Sequence, residues 1–370
     1  MIRTNDLTYT SVEICAGAGG QAVGLHYAGF RHIALIEIDK DACKTLSDNT
    51  GRDPEWAGCK VIETDLTKFD YASLGLEPGE LDLLAGGVPC PPFSAAGKQL
   101  GRDDERDLFP TMLNLVDHLE PKAVMIENVR GLLEPPEKFQ EYREEIIKRL
   151  ESMGYKKCYW EVLEARDYGV PQLRPRAILV AMKAEYAKHF TWAKPTKRDI
   201  VTVGEALYDS MKTRFDAVKT PEADQAFKDW YESAQKGVAP TLVGGSKKHG
   251  GADLGPTRAK KAWGALGVCG MGVANNPDEM TDPNRDLFAA AGPKLTVPQA
   301  ALIQGFPEEW KITGRKTAAY RQVGNAFPPP VAQAVGEQIY AAFEAAGVAG
   351  APKAPLPTPS TPAADHDLHA

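Results

Sequence analysis

A cysteine held between prolines at the end of an apolar strand is a candidate nucleophile. Cys90 stands in Val88-Pro89-Cys90-Pro91-Pro92-Phe93-Ser94, directly after Asp82-Leu83-Leu84-Ala85-Gly86-Gly87. The apolar run ending in glycines reads as a buried strand, and the prolines stiffen the loop that follows. A thiolate in that setting can attack an electron-poor carbon. A lone cysteine is more often a small buried apolar side chain, so the case for Cys90 rests on what surrounds it.

Glu127 directly follows the apolar run Val124-Met125-Ile126 and precedes Asn128-Val129. A carboxyl group beside a sheet core is unfavourable unless it is paired or protonated. A partly protonated one can donate a proton to a ring nitrogen; a structural Glu satisfied by backbone N–H groups is the alternative. In Gly169-Val170-Pro171-Gln172-Leu173-Arg174-Pro175-Arg176, extended backbone sets Gln172, Arg174 and Arg176 on one face. Two guanidiniums there suit an anion, or a carboxylate to be oriented. A solvated strand edge would use the same residues.

A third constellation is a glycine loop, Ala16-Gly17-Ala18-Gly19-Gly20-Gln21-Ala22, between a strand at 12–15 and a helix reaching Ala28. Glycines allow a sharp turn and close approach of a ligand, and the helix start offers free N–H groups. Glu37, twenty residues after Gly17, ends the next strand, where a carboxylate can accept two ribose hydroxyls. This pattern fits an NAD-type dehydrogenase and a methyl donor such as S-adenosylmethionine equally. A tight turn without a ligand is the third option. Asp65, after another strand, is placed to meet an adenine edge, although Asp is also a favoured helix cap. Asn325, in Gly324-Asn325-Ala326-Phe327-Pro328-Pro329-Pro330, could cap a final helix or touch a bound ligand.

The elements that must position these residues follow from short apolar runs alternating with amphipathic stretches. Strands are predicted at 12–15, 33–36, 60–63, 81–85, 123–126, 158–163 and 177–181. Their continuous apolar character suits a mostly parallel sheet covered on both faces. Phe139, Tyr142, Ile146, Leu150 and Met153 recur at helical spacing, with Gly154 as the stop. After about Lys183 the rhythm breaks. A helix at 222–236 lies among glycine-rich loops, such as Val243-Gly244-Gly245-Ser246 and 264–272, and reads as a second, looser domain. Helices are expected again at 297–304 and 330–345. From 347 onward Pro and Ala dominate without periodicity, which predicts a disordered tail.

With 370 residues, 43% of them hydrophobic and 25% charged, the composition is that of a globular protein. No apolar run approaches the roughly 18–20 residues that span a bilayer, and residues 1–10 lack the features of a secretory signal. A cytoplasmic location is expected. Cys15, Cys43, Cys59, Cys90, Cys158 and Cys269 are scattered, without zinc spacing, so neither a disulfide framework nor a metal is expected. The net charge of −7 does not advertise a nucleic-acid binder. Locally the balance reverses: Lys247, Lys248, Arg258, Lys260 and Lys261 stand against Asp253 between 241 and 265, a net +4. That stretch suits phosphate, or is simply a solvated loop.

Taken in order along the chain, these motifs resemble those of the DNA cytosine-5 methyltransferase family over roughly residues 10 to 345. The glycine loop resembles that family's motif I. Glu37 and Asp65 fall where motifs II and III meet the donor's adenosine, Pro89-Cys90 matches motif IV and Glu127-Asn128-Val129 motif VI. Gln172-x-Arg174-x-Arg176 matches motif VIII, Leu295-Thr296 through Pro307 motif IX, and Gly324-Asn325 through Pro329 motif X. The sequence departs from the family pattern at Cys15, Ile38 and Pro91, where Phe, an aromatic residue and Gln are usual.

The resemblance implies an α/β fold: a doubly wound, mostly parallel Rossmann-like methyltransferase sheet with a second, smaller target-recognition domain. It assigns 1–183 with 316–346 to the catalytic, S-adenosylmethionine-binding domain and 184–315 to target recognition. The donor is expected to meet Cys15, Ala16, Gly17, Gly19 and Gly20, then Glu37, Ile38, Asp65 and Leu66, and finally Gly87, Pro89, Leu108 and Asn325. DNA is expected at Gln172, Thr296, Lys247, Lys248, Arg258, Lys260 and Lys261. The implied chemistry has Cys90 attack carbon 6 of a flipped-out cytosine while Glu127 serves ring nitrogen 3. Arg174 orients Glu127 or the cytosine carbonyl, supported by Arg176. No metal is implied. The implied partners are double-stranded DNA and a cognate restriction endonuclease, with a monomeric chain and no membrane. The rivals are a cytosine-5 methyltransferase acting on tRNA, a dehydrogenase and a non-catalytic DNA-binding module. The dehydrogenase gives Cys90, Glu127 and the arginines no joint role, and binding alone needs neither Cys90 nor Glu127.

Overall fold

The computed structural model describes residues 7–89, 107–195, 200–244, 252–276 and 279–352. Cys90, Lys247, Lys248 and the end of the predicted tail lie outside the described residues. Seven strands form one sheet: β1 (Leu7–Ile14), β2 (Phe30–Glu37), β3 (Lys60–Glu63), β4 (Leu83–Gly87), β5 (Ala123–Val129), β6 (Tyr155–Glu164) and β7 (Pro175–Lys183), in the order β3-β2-β1-β4-β5-β7-β6. Each of the seven predicted strands is present. A short β8 (Ala351–Pro352), within the stretch expected to be structureless, pairs antiparallel with the start of β1.

The helices are α1 (Gly20–Tyr27), α2 (Lys40–Thr50), α3 (Phe109–Leu119), α4 (Gln140–Ser152), α5 (Ala184–Ala187), α6 (Val203–Asp216), α7 (Pro221–Ala234), α8 (Thr257–Ala265), α9 (Pro283–Asp286), α10 (Val297–Gln304), α11 (Lys316–Asn325) and α12 (Pro329–Ala345). Gly154 ends the α4 region with φ +86°, as its place in the sequence suggests. After Lys183 the sequence reading missed α5, α6, α8, α9 and α11, among them α6, opened by the Thr202/Glu205 capping box, and α8, which occupies part of the expected loop.

Strands β3, β2, β1, β4 and β5 are parallel, whereas β7 runs antiparallel to both β5 and β6. The sheet is therefore mixed. Alternation sends Leu83 and Ala85 into one apolar layer, with Val331, Val335 and Ile339 of α12, and Leu84 into the other, with Met112 and Val116 of α3. A third apolar cluster joins the later helices to the glycine-loop end of the sheet. In it Leu207, Trp230, Trp263 and Val323 share a core with Ala18, Ala22, Leu35 and Trp56. The region after 200 is thus packed onto the sheet-bearing part by buried apolar side chains.

A buried acid breaks the apolar rule. Glu13, next to last in β1, is 1% exposed, and its Oε2 has no hydrogen-bond partner among the described residues. Burial, reinforced by the nearby Glu37, pushes its carboxyl group well above the usual carboxylate range. A group whose folded pKa is raised stabilises the protein below its unfolded pKa, and that contribution is lost as pH rises toward the folded value. Glu13→Gln is therefore expected to match the wild type near pH 4 and to become progressively more stable than it above about pH 5. The advantage grows by up to about 1.4 kcal/mol per pH unit until the folded pKa is passed; denaturant melts at several pH values measure it.

Candidate active site

In an open α/β sheet, ligands bind outside the carboxyl ends of the strands where the strand order reverses, here between β1 and β4. A cavity of about 310 Å³ lies there. The ends of four strands contribute to it: Cys15, Gly17 and Ala18 after β1, Glu37 and Ile38 at β2, Thr64 to Leu66 after β3, and Gly87 and Pro89 at β4. Leu108 closes one side, and Arg321, Gln322 and Asn325 of α11 cover another.

Glu37 is fixed by three backbone N–H groups. Oε2 accepts from Gly17 (2.7 Å), and Oε1 accepts from Ile38 (2.9 Å) and Asp39 (2.8 Å). A carboxylate offers about four acceptor positions, so about one remains for a ligand hydroxyl rather than the two expected. Asp65 caps a short helical turn, accepting from the backbone and hydroxyl of Thr67, while still lining the cavity. Those bonds lower its pKa. Ile38 presents an apolar side chain that is 63% exposed. Cys15 adopts a left-handed conformation, φ +51°, and burial pushes its thiol up to about 12. It is a wall residue rather than a nucleophile.

Ala16, Gly19 and Gly20 do not line the cavity, although they were expected at the donor. Ala16 N–H donates to Ile36 O (3.1 Å). A Cβ on Gly19 would stand 2.6 Å from the ring of Trp310, and one on Gly20 would stand 2.1 Å from the carbonyl of Phe327. These glycines let other parts of the chain close on the loop. Trp310 Nε1 in turn donates to Ala18 O (2.8 Å), fixing the loop from behind. Asp39, Arg321 and Gln322 line the cavity and were not anticipated. Arg321 lies one helical turn before Asn325, a spacing that puts both on one face and was available as a signal.

The second part of the site lies at the end of β5. Glu127 pairs in register with Gly87, and a Cβ on Gly87 would stand 3.1 Å from Glu127 Oε2. Asn128 Nδ2 donates to Val88 O (2.7 Å), and Leu108 N–H donates to Pro89 O (3.3 Å). The backbone leading to position 90 is thus held directly beside Glu127. Arg176 Nε donates to Glu127 Oε1 at 2.7 Å, both side chains being about 15% exposed. Burial raises the pKa of Glu127, while Arg176 and Arg174 pull it back.

Arg174 was expected to orient Glu127 or the cytosine carbonyl with Arg176 in support; the direct pair with Glu127 is made by Arg176. Arg174 is 1% exposed and points away into the protein. Its Nη1 donates to Leu242 O (2.7 Å) and Gln172 Oε1 (3.5 Å), and its Nη2 donates to Gly324 O (2.8 Å) and Ala326 O (2.9 Å). Burial, and then Arg176, disfavour its charge. A guanidinium nevertheless stays protonated in proteins, so these oxygens carry the compensation. Gln172, expected at DNA, is fully buried: Oε1 accepts from Leu242 N–H (2.7 Å), and Nε2 donates to Gln304 Oε1 (2.8 Å).

Thr296, also expected at DNA, is 2% exposed and forms the capping box of α10 with Gln299. It lines a larger cavity of about 780 Å³ between α6, α10 and residues 306–312, which contains neither Glu127 nor the glycine loop. Arg258 and Lys261 are exposed on α8, while Lys260 pairs with Asp253 at 2.8 Å. Among the described residues, no group of three or more His, Cys, Asp or Glu side chains could hold a metal ion, and no helix is long and apolar enough to cross a membrane.

The family model for C-5 cytosine-specific DNA methylase matches residues 9–341. The chain is 49% identical over 337 residues to the Type II methyltransferase M.NaeI of Lentzea aerocolonigenes, covering 91% of this chain and 76% of the relative. It is 47% identical over 343 residues to the Type II methyltransferase M.NgoMIV of Neisseria gonorrhoeae, covering 91% and 99%. Among solved structures, the Entamoeba histolytica methyltransferase EhMeth superposes with a TM-score of 0.59 at 16% identity, covering 91% of this chain and 98% of that one. At that identity the likeness speaks for the fold alone.

The different surroundings of the two arginines separate their effects on stability. Arg174→Met strands several buried carbonyls and is expected to lower the unfolding free energy by about 3 kcal/mol or more. Arg176→Gln, at the partly exposed pair, should lower it by about 1 kcal/mol. Urea melts of the two variants test this difference, and equal losses would contradict the assignment of Arg174 as the buried tie.

Proposed function

The chain belongs to the C-5 cytosine-specific DNA methylase family and is a DNA cytosine-5 methyltransferase, and on that premise we propose how its residues divide the reaction. The observation that carries the proposal is the Glu127–Arg176 pair packed over Gly87, three residues before Cys90. On this reading Cys90 acts beside a carboxyl group and a guanidinium held at one sheet edge, next to a cavity with its own carboxylate anchor.

The cavity at the β1/β4 reversal fits S-adenosylmethionine. Glu37 has an acceptor position left for a ribose hydroxyl, Ile38 offers an apolar face, and Asp65 and Asn325 add polar edges. The donor supplies an electrophilic methyl group; the chain must make carbon 5 of cytosine a nucleophile. Cys90 thiolate bonds to carbon 6, which moves ring electron density to carbon 5. Glu127, whose raised pKa favours the protonated form, gives a proton or hydrogen bond to ring nitrogen 3. Arg176 holds the Glu127 carboxyl group and is placed to reach the cytosine carbonyl. Once carbon 5 has been methylated, it loses its proton and the bond between sulfur and carbon 6 breaks, restoring the aromatic ring.

Carbon 6 is inaccessible in a stacked duplex, so the cytosine must leave the helix, at a cost of a few kcal/mol. Residues 184–315 are proposed to recognise the target sequence and to offset that cost, with 1–183 and 316–346 forming the catalytic part. Arg258 and Lys261 are exposed and available to meet phosphate. The names of the two bacterial relatives support a place in a Type II restriction–modification system, in which methylation would protect the target sequence from a cognate endonuclease.

Cys90→Ser is expected to abolish methyl transfer to duplex DNA while leaving binding of S-adenosylhomocysteine unchanged. Incorporation of labelled methyl groups and calorimetry test the two halves, and a fully active variant would overturn the scheme. Glu127→Gln, which keeps the shape but not the acid, should lower kcat by about 100-fold or more with donor affinity retained. Bisulfite sequencing of DNA from cells producing the wild-type chain identifies the methylated site.

A further inference from the structure

We propose that Gly244 is a positioning residue for the donor cavity, fixing Asn325 from outside it; the inference rests on the reading of that cavity as the S-adenosylmethionine site. Asn325 and Arg321 line the cavity, and Gly244 does not. Yet an added Cβ on Gly244 would stand 2.3 Å from Asn325 Oδ1 and 2.7 Å from the backbone oxygen of Arg321. On the facing side, a Cβ on Gly324 would stand 2.3 Å from Gly244 N and 2.5 Å from Gly244 Cα. Two backbones meet here with no side chain between them.

Neither segment is free to retreat. Arg174 grips both, donating to Leu242 O on one side and to Gly324 O and Ala326 O on the other. Leu242 N–H donates to Gln172 Oε1, and the Thr241 hydroxyl donates to Leu173 O (2.6 Å). On the α11 side, Gln304 Nε2 also donates to Ala326 O. A side chain at 244 would therefore be accommodated by displacing the Asn325 amide. Misplacement of a binding group by about 1 Å is enough to lose much of its effect. The segment 241–244 belongs to the region proposed to recognise DNA, so this contact also makes that region part of the support of the donor site.

The experiment is calorimetric titration of S-adenosylhomocysteine into the wild type, Gly244→Ala, Asn325→Ala and the double variant. Gly244→Ala is expected to weaken binding by about 10-fold. If Gly244 acts through Asn325, the double variant will bind no more weakly than Asn325→Ala alone. Additive losses, or an unchanged affinity for Gly244→Ala, overturn the proposal. Absence of binding by the wild type overturns the donor-site reading itself, and the proposal with it. Hydrogen exchange on the wild type gives a test that needs no variant to fold. Binding of S-adenosylhomocysteine should protect the amides of 241–244 together with those of 321–326, and protection confined to 321–326 overturns the inference.

Discussion

A guanidinium buried among carbonyl oxygens is the constraint on which this molecule's site depends. Arg174 reaches neither solvent nor, among the described residues, an ion-pairing acid. Its charge is tolerated because four oxygens from separate parts of the chain converge on it. Satisfying that one cation forces the entry to β7, the segment at 241–244 and the end of α11 into a single arrangement. Removing any of those oxygens would leave a buried charge short of partners, which costs more than an ordinary lost hydrogen bond. The two neighbouring amides, Gln172 and Gln304, extend the same network to α10.

The reactive edge follows from that fixed frame. With the start of β7 held by Arg174, the next guanidinium on the same face, Arg176, projects at the sheet edge. Because β7 runs antiparallel to β5, its first residues lie against the last residues of β5, and Arg176 pairs with Val129 in register. A parallel β7 would have carried Arg176 to the opposite edge of the sheet, away from Glu127. The Glu127–Arg176 pair is therefore a product of strand direction, and its burial raises the pKa of the Glu127 carboxyl group.

The cavity between β1 and β4 is organised by a different device. Backbone N–H groups from the glycine loop and from the residues after β2 converge on Glu37, so the carboxylate that is available to a ligand also shapes its own cavity. Trp310 and α11 press on this loop from the region after 200, and the shared apolar cluster makes the contact permanent. The region after 200 and the glycine-loop end of the sheet are consequently not independent bodies at this point. Their common wall is the stretch from Arg321 to Ala326.

Much of this was legible in the sequence. The seven strands, α4 with its Gly154 stop, the glycine loop, Glu37 and the run of motifs around Cys90 and Glu127 all depend on local patterning, namely apolar periodicity, turn residues and position relative to a strand end. The family resemblance rested on the same local features. What escaped the sequence depends on contacts between residues far apart in the chain. Alternation placed Arg174 and Arg176 on one face but could not say which would meet Glu127, since that requires the direction of β7 and the location of Leu242, Gly324 and Ala326. Gln172 and Thr296 carry polar side chains suited to DNA, yet tertiary packing buries both and spends their hydrogen bonds internally. Gly244 was merely a loop glycine by composition. Sequence fixes which groups can do chemistry; only the folded chain decides which of them are left free to do it, because burial and long-range hydrogen bonding claim the rest.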